Sequence, residues 1–280
     1  MLAISHPQKN ETVLVAGAGD VGSRVARRLV AQGKRVFALR RGEMPPDPTI
    51  RWLRGDLTRP DTLQGLPKVD AVVFAPTPDA RDEAAYRGVF LDDLRHLAEA
   101  LPEAPRRTLF VSSTAVYGEH AGDWVDEATP TDPPGFNGRV LVETEQWLAS
   151  RDLGGLSLRL AGLYGPGRTQ LLDRLREGKV TVPRGRRVFA NRIHVDDAAA
   201  AIVHLLSLDA PDALYVGVDD TPLPVDELYD YLAGLLGAAP PPDGPSAPGI
   251  GNKRMSNAHL RATGFQCRWP DARMGYAALL

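Results

Sequence analysis

The amino-acid sequence predicts an α/β fold with a doubly wound parallel sheet and a small C-terminal lid, and three observations support this expectation. Short apolar runs alternate with segments of helical periodicity along most of the chain, as expected for parallel strands joined by crossover helices. The first apolar run leads directly into a glycine-rich loop and an amphipathic helix. Near the C-terminus the alternation ends, and stretches rich in proline and glycine take its place.

The predicted elements begin with Thr12–Ala16, a β-branched run bounded by glycine that is typical of a buried parallel strand. Val21, Val25 and Leu29 then follow helical spacing as far as Gly33, a residue well suited to end a helix. Further strands are expected at residues 35–39, 50–53, 71–74, 108–111, 156–160 and 213–218, and helices near residues 81–101 and 138–150.

The expected domain division separates a nucleotide-binding core from a substrate-binding lid. Residues 10–165, completed by residues 195–236, form the core, whereas residues 166–194 and 237–280 form the lid. Residues 237–251 contain five prolines, which remove backbone donors and fix φ. We therefore expect neither a helix nor a central strand in that stretch.

Composition restricts the classes of partner. The 280 residues include 33 basic and 35 acidic side chains, a net charge of −2 that offers no broad attraction to nucleic acid or to an anionic membrane. No stretch approaches the roughly 18 apolar residues that span a bilayer, and the first ten residues lack the apolar core of a signal peptide. The single cysteine, Cys267, suits a reducing compartment. We expect a soluble, cytoplasmic protein whose partner is a small molecule.

The glycine-rich loop predicts a dinucleotide site. Gly17 and Gly19 begin a G-x-G-x-x-G pattern that continues through Asp20 and Val21 to Gly22, between a predicted strand and a predicted helix. In a Rossmann-type fold, the first glycine makes the tight turn and the second admits the pyrophosphate. The third lets the helix pack closely, so that its N-terminal amides meet the phosphates. The alternative is a purely structural turn.

Two arginines follow the second predicted strand, at the position that distinguishes NAD from NADP. An acidic residue there would bind the ribose 2′-hydroxyl and repel a 2′-phosphate. This chain instead carries Arg40 and Arg41, and guanidinium groups attract phosphate. The sequence therefore favours NADP(H), with NAD as the other option. Two solvated surface arginines are the alternative interpretation.

Residues after the third and fourth predicted strands are further cofactor candidates. Asp56 and Leu57 suit an adenine amino group and the face of the adenine ring, and Ala75, Pro76 and Thr77 are expected beside the nicotinamide ribose. The expectation rests on their position at consecutive strand ends, where open α/β sheets bind ligands. Ordinary strand-to-loop chemistry is the alternative.

Four motifs resemble those of the extended short-chain dehydrogenases/reductases. Residues 111–118 (VSSTAVYG), 158–168 (LRLAGLYGPGR) and 191–198 (NRIHVDDA) are similar to signatures of that family. Residues 251–257 (GNKRMSN) resemble a segment of an atypical bacterial, epimerase/dehydratase-like branch. Together with the glycine loop, these motifs extend from about residue 12 to the C-terminal region.

The resemblance implies roles for individual residues. Ser113 matches the catalytic Ser/Thr that hydrogen-bonds a substrate carbonyl or hydroxyl, and Thr114 is a neighbour able to share this task. Ser112 and Tyr164 would border the cofactor, and Arg168 would face the substrate. His194 is either a substrate contact or a structural histidine. Lys253 and Arg254, with Arg168, Arg186 and Arg187, suit an anionic substrate, and a solvated rim or a docking face is the alternative.

The sequence departs from the family at its catalytic Tyr-x-x-x-Lys pair. The tyrosine position holds Phe136 or Asn137 and the lysine position holds Val140 or Leu141, depending on the register. Phenylalanine has no proton to donate, and a positioned acid/base usually contributes about 10²–10⁴-fold to the rate. The candidate replacements are Tyr117, Tyr164 and His194.

Two functions remain open at this point. The first is an NADP(H)-dependent oxidoreductase, or an epimerase/dehydratase-like enzyme, that acts on a small anionic or sugar-like substrate. The second is a non-catalytic protein that binds NADP(H) and reports its state to a partner. Helices near residues 81–101 and 138–150 resemble those that form a homodimer bundle in related proteins, which makes a homodimer a further option.

Overall fold

The computed structural model describes residues 11–245 and 251–280. The expectations for the first ten residues, and for residues 246–250 of the proline-rich stretch, lie outside the described chain. The described residues form two compact units. The first unit consists of the described part of Met1–Ser112 with Arg139–Leu158 and Ala199–Leu214. The second consists of Ser113–Gly138, Arg159–Ala198 and the described part of Tyr215–Leu280.

A parallel sheet forms the centre of the fold. The strands of the described chain are β1 (Thr12–Ala16), β2 (Arg35–Arg40), β3 (Arg51–Arg54), β4 (Ala71–Phe74), β5 (Arg107–Ser113), β6 (Trp124–Val125), β7 (Gly155–Leu160), β8 (Gly162–Tyr164), β9 (Phe189–Ala190), β10 (Arg192–His194), β11 (Leu214–Gly217), β12 (Leu223–Pro224) and β13 (Arg254–Met255). Seven of these described strands form one sheet in the order β11-β7-β5-β4-β1-β2-β3. This order confirms the predicted fold class, and the observed bounds of the predicted strands agree within two residues.

The strand order reverses at β1, which pairs in parallel with β2 on one side and with β4 on the other. The pairs β2–β3 and β4–β5 are also parallel. β1 and β4 are buried along almost their whole length, so they appear in the sequence as continuous apolar runs rather than alternating patterns. In open α/β sheets such a reversal creates a crevice at the carboxyl ends of the strands, where ligands bind.

The helices of the described chain are α1 (Asp20–Ala31), α2 (Glu83–Arg87), α3 (Asp93–Ala100), α4 (Phe136–Ala149), α5 (Gln170–Arg176), α6 (Val195–Ser207), α7 (Val225–Leu236), α8 (Ala258–Ala262) and α9 (Ala272–Ala277). α1 buries Val21, Val25 and Leu29, as its spacing predicts. Gly33 follows it with a φ of +79°, a left-handed conformation that glycine adopts readily. A π-helical turn, Gly88–Asp92, joins α2 to α3, and the predicted helix at residues 138–150 corresponds to α4.

The second unit contains short strand pairs that the sequence pattern does not predict. β8 pairs with β10 and β6 with β13, both in parallel, while β9 and β12 are antiparallel. Its apolar core joins Tyr164 to residues of α5, α7 and α9. These strands have only two or three residues, too few for a periodic signal, and their partners are distant in sequence.

The proline-rich stretch behaves as predicted over its described part. Residues 237–245 contain neither helix nor sheet strand, and Asp243 forms an isolated bridge with Val182. The sequence-based boundaries of core and lid stay a prediction; they differ from the unit boundaries, which pass through β5, β7 and β11. Across residues 11–245 and 251–280, no helix combines the length and apolar composition that a membrane span requires.

Candidate functional site

The glycine loop between β1 and α1 is shaped by close packing. Gly17 has a φ of +86°, and a Cβ atom built on it would lie 2.5 Å from the backbone nitrogen of Pro76. A Cβ atom on Gly22 would lie 2.4 Å from the carbonyl oxygen of Gly17. Both distances are shorter than any real Cβ contact, so these two positions require glycine for packing alone. The loop therefore touches the end of β4 at the point where the strand order reverses.

Gly19 has a different environment. It caps the N-terminus of α1 without a side chain, and no heavy atom of the described chain comes within 4 Å of a Cβ atom built on it. The space above Gly19 is thus open, while the first turn of α1 presents main-chain N–H groups and the positive end of the helix dipole. The cradle thus offers the space and the main-chain donors that a pyrophosphate needs, and the pyrophosphate site stays a prediction. Asp20, beside it, accepts the Nε–H of Arg24 on its carboxylate at 2.8 Å.

The two arginines at the end of β2 differ in environment. Arg40 is half-buried and is the last residue of β2, and its carbonyl oxygen accepts the N–H of Gly55 at 3.2 Å. The side chain of Arg41 is 54% exposed and forms an ion pair with Asp79, in the loop after β4. Hydrogen bonding to Asp79 raises the pKa of Arg41, and weaker attraction to Asp56 and Asp93 adds to this effect. The sequence alone did not point to Asp79.

Residues at the end of β3 lie near a buried carboxyl group. The carboxylate of Asp56 accepts the main-chain N–H of Thr58 at 3.1 Å, and the carbonyl oxygen of Leu57 contacts the Nδ1 atom of His96 at 2.8 Å. Asp93, at the start of α3, is only 4% exposed. Burial, reinforced by the negative charges of Asp56 and Asp92, raises the pKa of Asp93 to about 7. Sequence reasoning missed Asp93, since it falls in a helix with no motif.

The remaining cofactor candidates lie at the ends of β4 and β5. Ala75 is buried, Pro76 is half-buried against Gly17, and Thr77 is exposed. Ser112 is 4% exposed and donates its hydroxyl proton to the carboxylate of Glu145 on α4 at 2.6 Å. Glu145 is a second residue that the motifs did not single out, because its contact with Ser112 spans 33 positions of sequence.

In the second unit, Ser113 begins a 3₁₀ turn, Thr114–Val116. Its Oγ atom accepts the N–H of Ala115 at 3.2 Å, and this bond leaves the hydroxyl proton to be donated elsewhere. Ser113 and Thr114 are both half-buried. Gly138 packs against this turn so closely that a Cβ atom on it would lie 2.3 Å from the carbonyl oxygen of Ala115. The turn is therefore held rigidly by its surroundings.

The structure argues against Tyr117 as a replacement acid. Its side chain is 1% exposed, and its hydroxyl donates to the carbonyl oxygen of Asp126 at 2.7 Å while accepting from Arg159 at 2.7 Å. The guanidinium of Arg159 also lies over the tyrosine ring, 4.9 Å from its centre. The hydroxyl proton of Tyr117 is thus already donated to a main-chain carbonyl oxygen. The sequence analysis did not single out Arg159, although a charged residue in a predicted buried strand is a signal that would have indicated a buried polar partner.

Lys253 and Arg254 contact other segments of the second unit, and their substrate roles stay a prediction. The ammonium of Lys253 is buried, and it lies within hydrogen-bonding distance of three carbonyl oxygens, those of Tyr117, Gly118 and Gly251, at 3.2–3.4 Å. Burial lowers the pKa of Lys253. Arg254 donates to the carbonyl oxygen of Gly122 at 2.7 Å, and its guanidinium lies over the rings of Trp124 and Phe189. Motif 251–257 therefore ties segments of the second unit together.

Tyr164 and His194 belong to an aromatic cluster, in which Tyr164 stacks on Tyr276 and meets His194 edge-on, and His194 lies at a tilt to Trp269. Tyr164 is fully buried, and its hydroxyl has no hydrogen-bond partner among the described residues. Burial raises the pKa of Tyr164, which makes it a poor proton donor. His194 is 2% exposed, and its Nδ1 atom accepts the N–H of Asp196 at 3.1 Å, as a structural histidine would. Arg168 is half-buried in the turn after β8.

A parallel sheet whose order reverses beside a glycine cradle defines the Rossmann class of dinucleotide-binding proteins. Within that class, the chain belongs to the NAD dependent epimerase/dehydratase family, whose sequence profile matches residues 13–217.

Three relatives illustrate the range of the family. A solved structure of an NAD-dependent epimerase/dehydratase from Methylobacillus flagellatus is 38% identical, has a TM-score of 0.82 and covers 96% of this chain and 97% of its own. Protein YeeZ of Escherichia coli (strain K12) is 35% identical over 216 residues, 75% of this chain and 76% of YeeZ. The 3-diazoavenalumate denitrifying reductase of Streptomyces sp is 34% identical over 258 residues, 84% of each chain.

Proposed function

We propose that this chain is an NADP(H)-binding oxidoreductase, or an epimerase/dehydratase-like enzyme, that acts on a small anionic or sugar-like substrate. The observation that carries this proposal is the open cradle over Gly19 with Arg40 and Arg41 at the end of the neighbouring strand. Family membership indicates a nicotinamide dinucleotide as the cofactor. The arginines, and the lack of a carboxylate at their position, favour the 2′-phosphorylated form.

In this proposal the cofactor, when bound, supplies or accepts a hydride, and the chain contributes binding and orientation. The amides at the start of α1 hold the pyrophosphate, and Asp56 and Leu57 receive the adenine. Ser113 donates its hydroxyl proton to a substrate oxygen, with Thr114 beside it. Arg168, from the proposed lid, attracts an anionic group of the substrate. The reductase relative from Streptomyces sp supports a reductive direction.

The second candidate function is NADP(H) binding without chemistry. It is favoured by one observation: the hydroxyl of Tyr117 donates to Asp126 and accepts from Arg159. The usual Tyr position holds Phe136 or Asn137 and the usual Lys position Val140 or Leu141, in keeping with this alternative. Such a site would bind the cofactor but would lack the general acid/base that the Tyr-Lys pair usually provides. Oxidation of NADPH by any member of a broad panel of carbonyl substrates would exclude this alternative, and a Ser113→Ala variant with reduced turnover would support the first proposal.

Calorimetric titration at neutral pH tests the cofactor assignment. We expect the wild type to bind NADPH at least tenfold more tightly than NADH, a difference of about 1.4 kcal/mol. Replacement of both selector residues, Arg40→Asp with Arg41→Ser, is expected to abolish this preference. The matched control is Arg35→Ser, an exposed arginine at the opposite end of β2, which should leave both affinities unchanged. Equal affinities of the wild type for both cofactors would refute the selector assignment.

A further inference from the structure

An ion pair lies across the carboxyl end of the central strand. Arg41 directly follows β2 and Asp79 lies in the loop after β4, and β1 is between these two strands in the sheet. The glycine loop contacts the ends of both β2 and β4. The N–H of Gly17 donates to the carbonyl oxygen of Leu39 in β2 at 3.3 Å, and Gly17 packs on Pro76 after β4. The ion pair thus joins the two loops that flank the phosphate cradle.

Within this ion pair, Asp79 is a partner of Arg41 that another anion can readily replace. Both side chains are exposed, Arg41 by 54% and Asp79 by 69%, and exposed pairs of this kind contribute little net stability. A phosphate dianion is a stronger bidentate acceptor for guanidinium than a single carboxylate is. A ribose 2′-phosphate that reaches Arg41 therefore competes with Asp79 for the same donors.

We propose that Asp79 is a specificity-determining residue. It pairs with Arg41 in the absence of a 2′-phosphate, and the 2′-phosphate displaces it from Arg41 when NADP(H) binds. This inference rests on the proposed function. NADH, which lacks the phosphate, leaves the ion pair in place. Asp79 therefore weakens the preference for NADPH. In the loop after β4, Asp79 is paired with Arg41 when NADH is bound and released from Arg41 when NADPH is bound.

Removal of the carboxylate tests this role. We expect Asp79→Asn to bind NADPH three- to tenfold more tightly than the wild type, because the competitor for Arg41 is lost, and to change NADH affinity less than twofold. The same contrast is expected between adenosine 2′,5′-bisphosphate and adenosine 5′-monophosphate, which differ only in the 2′-phosphate and remove any influence of the nicotinamide. In an Arg41→Ala background, Asp79→Asn should alter NADPH affinity less than twofold.

The control is Glu103→Gln, which removes the same charge from an exposed pair with Lys68 near the amino ends of β4 and β5. It is expected to leave NADPH affinity unchanged. An Asp79→Asn variant with unaltered NADPH affinity, or with an equal gain for NADH, overturns the role of Asp79 while leaving NADP(H) binding intact. Failure of the wild type to bind either cofactor overturns the proposed function itself, and the two failures are thereby distinguished.

Discussion

Gly17 and Gly19 lie two positions apart, yet a methyl group added to each would meet different surroundings. At Gly17 the added Cβ atom meets the backbone of Pro76 and the φ of +86° is unfavourable for alanine. At Gly19 the added atom meets open space, although the φ of −77° is combined with a ψ of −145°, outside the regions that alanine prefers. The first glycine is therefore required by packing, whereas at the second the packing leaves room for a ligand and only the backbone conformation favours glycine.

This contrast gives a residue-scale prediction. Gly17→Ala should destabilise the protein by roughly 1–3 kcal/mol, because of strain and overlap. Gly19→Ala should be destabilised less, by about 1 kcal/mol from its backbone conformation, and keep its unfolding temperature within about 4 °C of the wild type, but lose at least tenfold in NADPH affinity, because its methyl group occupies the space of the pyrophosphate. Thermal unfolding and calorimetry measure the two effects. A Gly19→Ala variant with full affinity would place the phosphates elsewhere.

At the scale of elements, one side chain joins a strand to the end of a helix. Arg107 begins β5 and is 6% exposed. The last carbonyl groups of a helix have no hydrogen-bond donor within the helix and carry partial negative charge. The guanidinium of Arg107 supplies both the donors and a compensating positive charge. Its nitrogens donate, at 2.5–3.3 Å, to carbonyl oxygens at and beyond the end of α6, those of Leu205, Leu206, Leu208 and Asp209.

Arg107→Met is therefore expected to destabilise the protein by on the order of 2–4 kcal/mol, because several buried carbonyl groups lose their donors at once. Arg107→Lys should fall between this variant and the wild type, since an ammonium replaces the charge but has fewer donors. Urea unfolding measures the difference. Arg59→Met, at an exposed pair with Asp61, is the control and should lie within about 0.5 kcal/mol of the wild type. Equal stability of the two Met variants would contradict the capping role.

At the scale of the whole molecule, buried carboxyl groups make the folded state sensitive to pH. Asp93 in the first unit has a pKa raised to about 7, and Asp219 in the second, 3% exposed, has a pKa raised by burial to about 8. A raised pKa means that the folded state holds its proton more tightly than the unfolded chain does. Each group therefore leaves the free energy of unfolding unchanged at pH values below its unfolded pKa of about 4. At pH values above its folded pKa, it lowers the free energy of unfolding by its full amount.

The corresponding prediction concerns Asp93→Asn. Because the amide cannot ionise, this variant should gain stability over the wild type as pH rises from about 4 to about 8, by on the order of 2–4 kcal/mol. Unfolding temperatures at the two pH values measure the gain. Asp61→Asn, at an exposed pair with Arg59 that does not contribute to the pKa of Asp93, provides a control that should show no such gain. A pH-independent difference between Asp93→Asn and the wild type would disprove the assignment.

The sequence by itself determined where the main strands lie along the chain, the position of the glycine loop and the two arginines that follow β2, because these features depend on residues close together in the chain. Only the tertiary structure decided what the charged and polar side chains contact. Arg41 meets Asp79 across 38 positions, and Lys253 reaches the carbonyl of Tyr117 across 136. Burial removes Lys253 and the hydroxyl of Tyr117 from a ligand's reach, and burial is a property of the folded chain that no local motif encodes.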